Sequence, residues 1–163
     1  MGDLSGHFDS SEFLHTDSGL DNTPDSPVIY DRLVKVAQAL ECIRSLLGCP
    51  IHINSGYRSD AVNKKAGGSE TSAHHLGLAA DIIPVGLDLL DAFRRIAADP
   101  LVQRVADQLI WEEKPLPRGG FVKWIHVGIG HGPNGDLPIR HQVLIFSPKT
   151  NGAYLPFSED LVA

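Results

Sequence analysis

Cysteine is scarce in this sequence, with only Cys42 and Cys49 among 163 residues. Both fall near the end of a predicted helix, where two turns would hold their Cα atoms ~10 Å apart. A disulfide needs about 4.4–6.8 Å, so both are expected as free thiols, Cys42 in the core and Cys49 in a buried turn. Their C-x6-C spacing also misses the usual zinc pattern. No apolar run approaches the roughly 20 residues that cross a bilayer, which excludes a membrane-inserted helix. Lysine and arginine number 14 against 20 acidic residues, a formal charge of −6. That deficit argues against a nucleic-acid partner, which calls for clustered basic residues. Met1 to Asp9 lacks the basic and apolar regions of a secretory signal, so the chain is expected to be made in the cytoplasm. Internal repeats and low-complexity tracts are absent too.

What is present fits a folded soluble protein: 42% hydrophobic and 21% charged residues, in a length that suits one domain. Residues 1–26 mix acidic residues with Ser, Gly, Asn and Thr and are expected as an irregular arm, docked through Phe8, Phe13 and Leu14. Residues 27–163 would form the domain proper. Asp25-Ser26-Pro27 reads as a helix start, and Ile29, Leu33, Val36, Leu40, Ile43 and Leu47 then recur at steps of three and four until Gly48 ends the helix. Ile51–Asn54 reads as a strand, Ser55–Arg58 as a turn, and Ser59–Ala66 as a short helix. Leu78–Ile83 is a strand reached through a loop, and Asp88 caps a second amphipathic helix that Asp99-Pro100 breaks. Gln108–Glu112, Val122–Ile129 and Gln142–Phe146 complete the strands. Helices come early and strands late, which predicts an α+β fold with a small, mainly antiparallel sheet.

Two polar residues interrupt apolar strands. Asp81 sits among Leu78, Ala79, Ala80, Ile82 and Ile83, at H-x6-D spacing from His74 on the preceding loop. A buried carboxylate without a partner is too costly to tolerate, so Asp81 needs a cation, a metal or several donors. His126 likewise interrupts Trp124-Ile125-His126-Val127. Imidazole and carboxylate suit zinc, and three protein ligands with an open fourth position mark a catalytic site. The residues alone also allow a core without metal in which Asp81 pairs with Arg58.

A specific resemblance joins these residues. Ser72-x-His74-x-x-Gly77-x-Ala79-x-Asp81 is similar to the S-x-H-x-x-G-x-A-x-D signature of the zinc D-Ala-D-Ala carboxypeptidase and L-alanyl-D-glutamate endopeptidase family. Asn54-Ser55-Gly56-Tyr57-Arg58-Ser59 resembles that family's N-S-G-Y-R-S turn, Trp124-Ile125-His126-Val127 its W-x-H-V strand, and Asp107-Gln108-Leu109-Ile110-Trp111-Glu112 the D-Q-L-I-x-E strand of short phage and bacterial members. The likeness runs from about His7 to Phe146.

It implies the lysostaphin, D-Ala-D-Ala peptidase and hedgehog fold, a small sheet flanked by helices with the metal in a groove. It also implies one zinc per chain on His74, Asp81 and His126, and hydrolysis of peptidoglycan peptides that contain D-amino acids, in an endolysin-like or wall-remodelling role. Arg58 would bind a substrate carboxylate or carbonyl, Ser72 would lie near the metal or cap its loop, and Glu112 would be the base, with Glu113 as fallback. The protein would act on the wall once released or delivered, as a monomer. Many members carry a glutamate or histidine three residues before the last ligand, where this chain has Lys123. That departure favours an alternative, an inactive zinc-stabilised binding module or virion structural module of the same fold. His75 is expected to line the groove or face solvent; His7, His15, His52, His131 and His141 have no spacing that suggests ligation, and most are expected at the surface. Trp111 and Trp124 are expected to pack the sheet.

Overall fold

The computed structural model describes residues 2–163. The longest element, α2 (Pro27–Leu47), starts where the Ser26 side chain accepts from the Val28 N–H. It ends where Gly48 turns left-handed at φ 69° and returns its N–H to Arg44. Its apolar stripe is buried as the spacing predicts. Cys42, however, is exposed and Cys49 half-buried, both as free thiols. The expectation of a core Cys42 fails because Leu40, Ile43 and Leu47 own the stripe, and position 42 lies about 100° round the helix from position 43.

Among the described residues, six strands form one sheet: β1 (Ile51–Ser55), β2 (Ala79–Pro84), β3 (Gln108–Pro115), β4 (Phe121–Gly128), β5 (Gln142–Phe146) and β6 (Leu155–Pro156). The order is β1-β2-β4-β3-β5-β6, antiparallel throughout except where β3 runs parallel to β5. The α+β class and the mainly antiparallel sheet are as expected. One face packs Ile53, Ala80, Ile82, Leu109, Trp111 and Ile125 into a common core with α2 and with α4 (Leu89–Ala98). The opposite face carries the polar groove described below. Strand alternation thus assigns each side chain to helices or to groove.

The short helix α3 (Asp60–Ala66) follows Ser59 as the sequence predicts, but several elements escape the sequence patterns. The arm expected to be irregular contains α1 (Ser10–Leu14), opened by an Asp9–Glu12 capping box. Asp99 does end α4, but its side chain also accepts from the N–H groups of Leu101 and Val102 and so starts α5 (Pro100–Val105). Beyond β5, short 3-10 turns at Pro148–Thr150 and Glu159–Leu161 flank β6. Glu113 anchors this segment: its fully buried carboxylate accepts from the Trp111 indole at 2.6 Å and from the Ala163 N–H at 2.9 Å.

Between α1 and β1 the fit is tight. Tyr57 donates its N–H to the Phe13 carbonyl at 2.8 Å, and a Cβ on Gly56 would lie 2.5 Å from that same oxygen. Only glycine lets the turn seat against the arm. Gly56→Ala is therefore expected to destabilise the protein by on the order of 1–3 kcal/mol, the usual cost of overpacking. Urea unfolding reads this as a lower midpoint at unchanged slope; an unchanged midpoint would mean that the arm does not press on the turn in solution.

Candidate metal centre

His74 is presented by a tight loop whose turns fix its backbone. Leu76 and Gly77 return their N–H groups to Ser72 and His74, and Leu78 returns its own to Ala73 at 2.7 Å. Gly77 adopts φ +70° there, and a Cβ on it would meet Ile29 of α2 at 3.0 Å, so both conformation and space demand glycine. Ala79 is fully buried and pairs across the sheet with Gly128. Asp81 and His126 are direct partners on β2 and β4, so both side chains rise from the groove face. A bulge between Ile53 and Ser55 brings Ser55 opposite Asp81 as well.

Three ligand atoms meet at this point. His74 Nε2 lies 3.1 Å from Asp81 Oδ1 and 3.1 Å from His126 Nδ1, and His126 Nδ1 lies 3.0 Å from Asp81 Oδ1. All three residues are buried. His74 Nδ1 sits 2.7 Å from the Gly56 carbonyl oxygen and must carry a proton to donate there, which leaves the Nε2 lone pair facing inward. With both rings neutral, the three atoms share at most one proton, on His126 Nδ1, and without it three lone pairs crowd together. A cation resolves that crowding. The three side chains form a group that can hold a metal ion, with nitrogen and oxygen donors suited to a borderline divalent metal.

Arg58 donates from Nη2 to Asp81 Oδ2 at 3.0 Å and from Nε to Ser55 Oγ at 3.1 Å. The pairing of Asp81 with Arg58 and its convergence with two imidazoles, alternatives in the sequence, therefore coexist, one on each carboxylate oxygen. Burial alone would raise the Asp81 pKa, but the two imidazoles and their hydrogen bonds hold it well below the usual carboxylate range. The groove above this cluster has a volume of about 1150 Å³, and Arg58, Ser72, Glu112 and Trp124 all line it. The expected site residues are thus brought together.

Glu112 pairs with Trp124 across β3 and β4, two residues along from the Ile110–His126 pair, so it shares the groove face. Burial, and then the Asp81 carboxylate, push its pKa up to about 7. Glu113 points the other way into the core, where its carboxylate is used by Trp111 and Ala163, which removes it as a fallback base. Lys123 is paired with Glu113 on that same core side, 3.4 Å from its carboxylate, and donates to the Ala163 carbonyl at 2.8 Å. On a regular strand the position three before His126 faces away from it, so Lys123 leaves the site chemistry untouched.

Several expectations shift. His75 does not line the groove: its Nδ1 donates to the Arg58 carbonyl at 2.9 Å and its Nε2 meets Asp60 at 3.2 Å, so it braces the Arg58 turn. His131, expected at the surface, lines the groove and lies 3.2 Å from the buried Asp107 carboxylate. Arg140 also donates to both oxygens of Asp107; burial would raise the Asp107 pKa, but Arg140 holds it low. Trp111 packs the core edge-on to Phe93, whereas Trp124 turns into the groove. Tyr154 and Phe146, which no local pattern singles out, form a further part of the wall.

An α+β scaffold presenting a buried His-Asp-His cluster in a groove defines a metallohydrolase-like site. The chain belongs to the peptidase M15 family, the zinc D-Ala-D-Ala carboxypeptidase-like peptidases: the family model described as Peptidase M15 matches residues 6–107. The match takes in Arg58, Ser72, His74 and Asp81 and stops short of Glu112 and His126, which strand pairing brings to the same groove face. No curated protein matches the chain. Among the described residues, no helix is long and apolar enough to cross a membrane.

His74→Ala and His126→Ala are each expected to abolish metal content, while His75→Ala keeps it near one ion per chain. Elemental analysis checks this, and metal retained in both ligand variants would rule out the cluster as the binding site.

Proposed function

We propose that this protein is a zinc metallopeptidase that hydrolyses peptide bonds in peptidoglycan peptides containing D-amino acids, acting on the cell wall once released or delivered. The observation that carries the reading is the trio of buried ligand atoms 3.0–3.1 Å apart on the groove floor, with Glu112 two residues along the sheet. His74, Asp81 and His126 would hold one zinc ion. When bound, zinc polarises a carbonyl and lowers the pKa of water.

The chain's own residues supply the rest. Glu112 accepts the proton of the attacking water and passes it to the departing amine. Its partly desolvated setting, with a pKa near neutrality, suits a group that must both take and give a proton. Arg58 keeps Nη2 on Asp81 and presents the remainder of its guanidinium to the groove, where a substrate carbonyl or carboxylate can dock. Ser72 lines the wall at the start of the His74 loop.

Groove-lining residues lie on both sides of the ligand cluster, Asn54, Gly67, Gly68, Ser69 and Thr71 on one and Phe146 and Tyr154 on the other. Strands are about 4.8 Å apart, so the path from β1 to β6 is on the order of 24 Å and accommodates roughly seven extended residues. That length supports cleavage within a peptide over removal of one terminal residue. The inactive-module alternative loses its chief support, because Lys123 faces the core.

Glu112→Gln is expected to retain metal yet lower kcat on the order of 10²–10⁴-fold toward a purified stem peptide; wild-type turnover in that variant would end the assignment of Glu112. The working form of Glu112 is the carboxylate, so activity falls as pH drops through its pKa. A bound dication favours that carboxylate and draws its pKa below the metal-free value of about 7. The acid limb of kcat/KM in the zinc-loaded enzyme should thus have its midpoint below about 7, and a midpoint above 8 would assign the limb to another group.

A further inference from the structure

We propose that Tyr154 is a catalytic residue of this groove, its hydroxyl donating a hydrogen bond to the scissile carbonyl oxygen as negative charge builds there. This role rests on the peptidase reading of the same groove and adds an uncharged donor to the guanidinium that Arg58 offers there. Leu155 pairs with Ile145 across β5 and β6, so Tyr154, one residue earlier, falls beside Phe146. The two rings lie 4.8 Å apart at 36°. Phe146 in turn pairs with Glu112, and Glu112 with Trp124. Trp124, Glu112, Phe146 and Tyr154 therefore form one transverse row on the groove face.

Two strand spacings, about 10 Å, separate the backbones of Tyr154 and Glu112, and both residues line the same groove. The core does not account for the residue, because Tyr154 lies half-covered over Phe146 on the groove face while the core lies on the other side of the sheet. Electrostatics do. As a carboxylate, Glu112 has acceptor capacity only, so it can move a proton but cannot stabilise a charged oxygen. A neutral phenol on its far side can. Burial of the phenol and the Glu112 and Asp81 carboxylates push its pKa up to about 12, which keeps the donor protonated throughout the neutral range.

The turn that carries Tyr154 is also held in place. Thr150 Oγ1 donates to the Ser147 carbonyl at 2.9 Å, Ser147 Oγ donates to the Leu161 carbonyl at 2.6 Å, and Asn151 adopts φ +52°. An ordered turn limits where the ring can lie before the substrate arrives and so lowers the reorganisation needed to present the hydroxyl to developing charge.

Tyr154→Phe keeps the ring on Phe146 and removes only the hydroxyl. In the zinc-loaded full chain with a peptidoglycan stem peptide, kcat should fall on the order of 10²-fold, KM should change by less than about threefold, and metal content should stay the same. A phosphinate analogue of that peptide, whose tetrahedral P–O⁻ takes the place of the charged oxygen, should bind roughly 100-fold more weakly to the variant, while the cleaved product binds equally. If Tyr154→Phe stays within about threefold of wild type in both measurements, the donor role is overturned and the peptidase reading stands; a loss seen only in Tyr154→Ala has the same meaning. A wild-type protein that neither cleaves the peptide nor binds the phosphinate would overturn both.

Discussion

A carboxylate placed in the middle of a buried strand governs this structure. Asp81 is 4% exposed and has apolar neighbours on both sides in sequence, so its charge must be compensated where it stands. One oxygen is held by Arg58 and the other faces two imidazoles. Each of those partners makes a demand of its own. Arg58 needs Ser55 in register, which the β1 bulge supplies, and His74 needs an acceptor for its outer nitrogen, which the Gly56 carbonyl supplies. Gly56 then has to lie under the Phe13 carbonyl, so the N-terminal arm is tied to the metal centre through three consecutive contacts.

This chain of dependence explains why the family signature has its form. His74 and Asp81 face inward, Gly77 takes the left-handed turn against α2, and Ala79 is buried in β2 opposite Gly128. The apolar signature positions are fixed by space and backbone conformation, and they aim the two that carry ligands. His75, between signature positions, holds the Arg58 turn from behind. A loop and a strand from one short segment thereby supply two ligands at a fixed angle, and a single further strand completes the set.

Much of this is legible in the sequence because the signals are local. The α2 stripe, its caps, the interrupted strands at Asp81 and His126 and the turn at Arg58 each show within about twenty residues. What is not legible depends on facing. Cys42 reads as a core residue by type but sits one step off the stripe. Lys123 reads as a defect in the site until strand alternation places it against Glu113. The second use of Asp99 as a helix cap is hidden by the proline after it. The far wall, made by Phe146, Tyr154 and the Asp107–Arg140–His131 cluster, is assembled from segments distant in sequence, and no short spacing encodes it.

The adjacent glutamates of β3 have a further implication for how the sequence can vary. Glu112 faces the groove and Glu113 the core, each surrounded by groups that suit only its own side. Loss or gain of one residue within Leu109–Glu113 would swap them, carrying a charge into the packed layer of helices and Trp111 out into the groove. The turn between β3 and β4, with Gly119 and Gly120 at positive φ and open space around both, is under no such constraint. Length variation among related chains should therefore accumulate at that tip and be purged from the strand it follows.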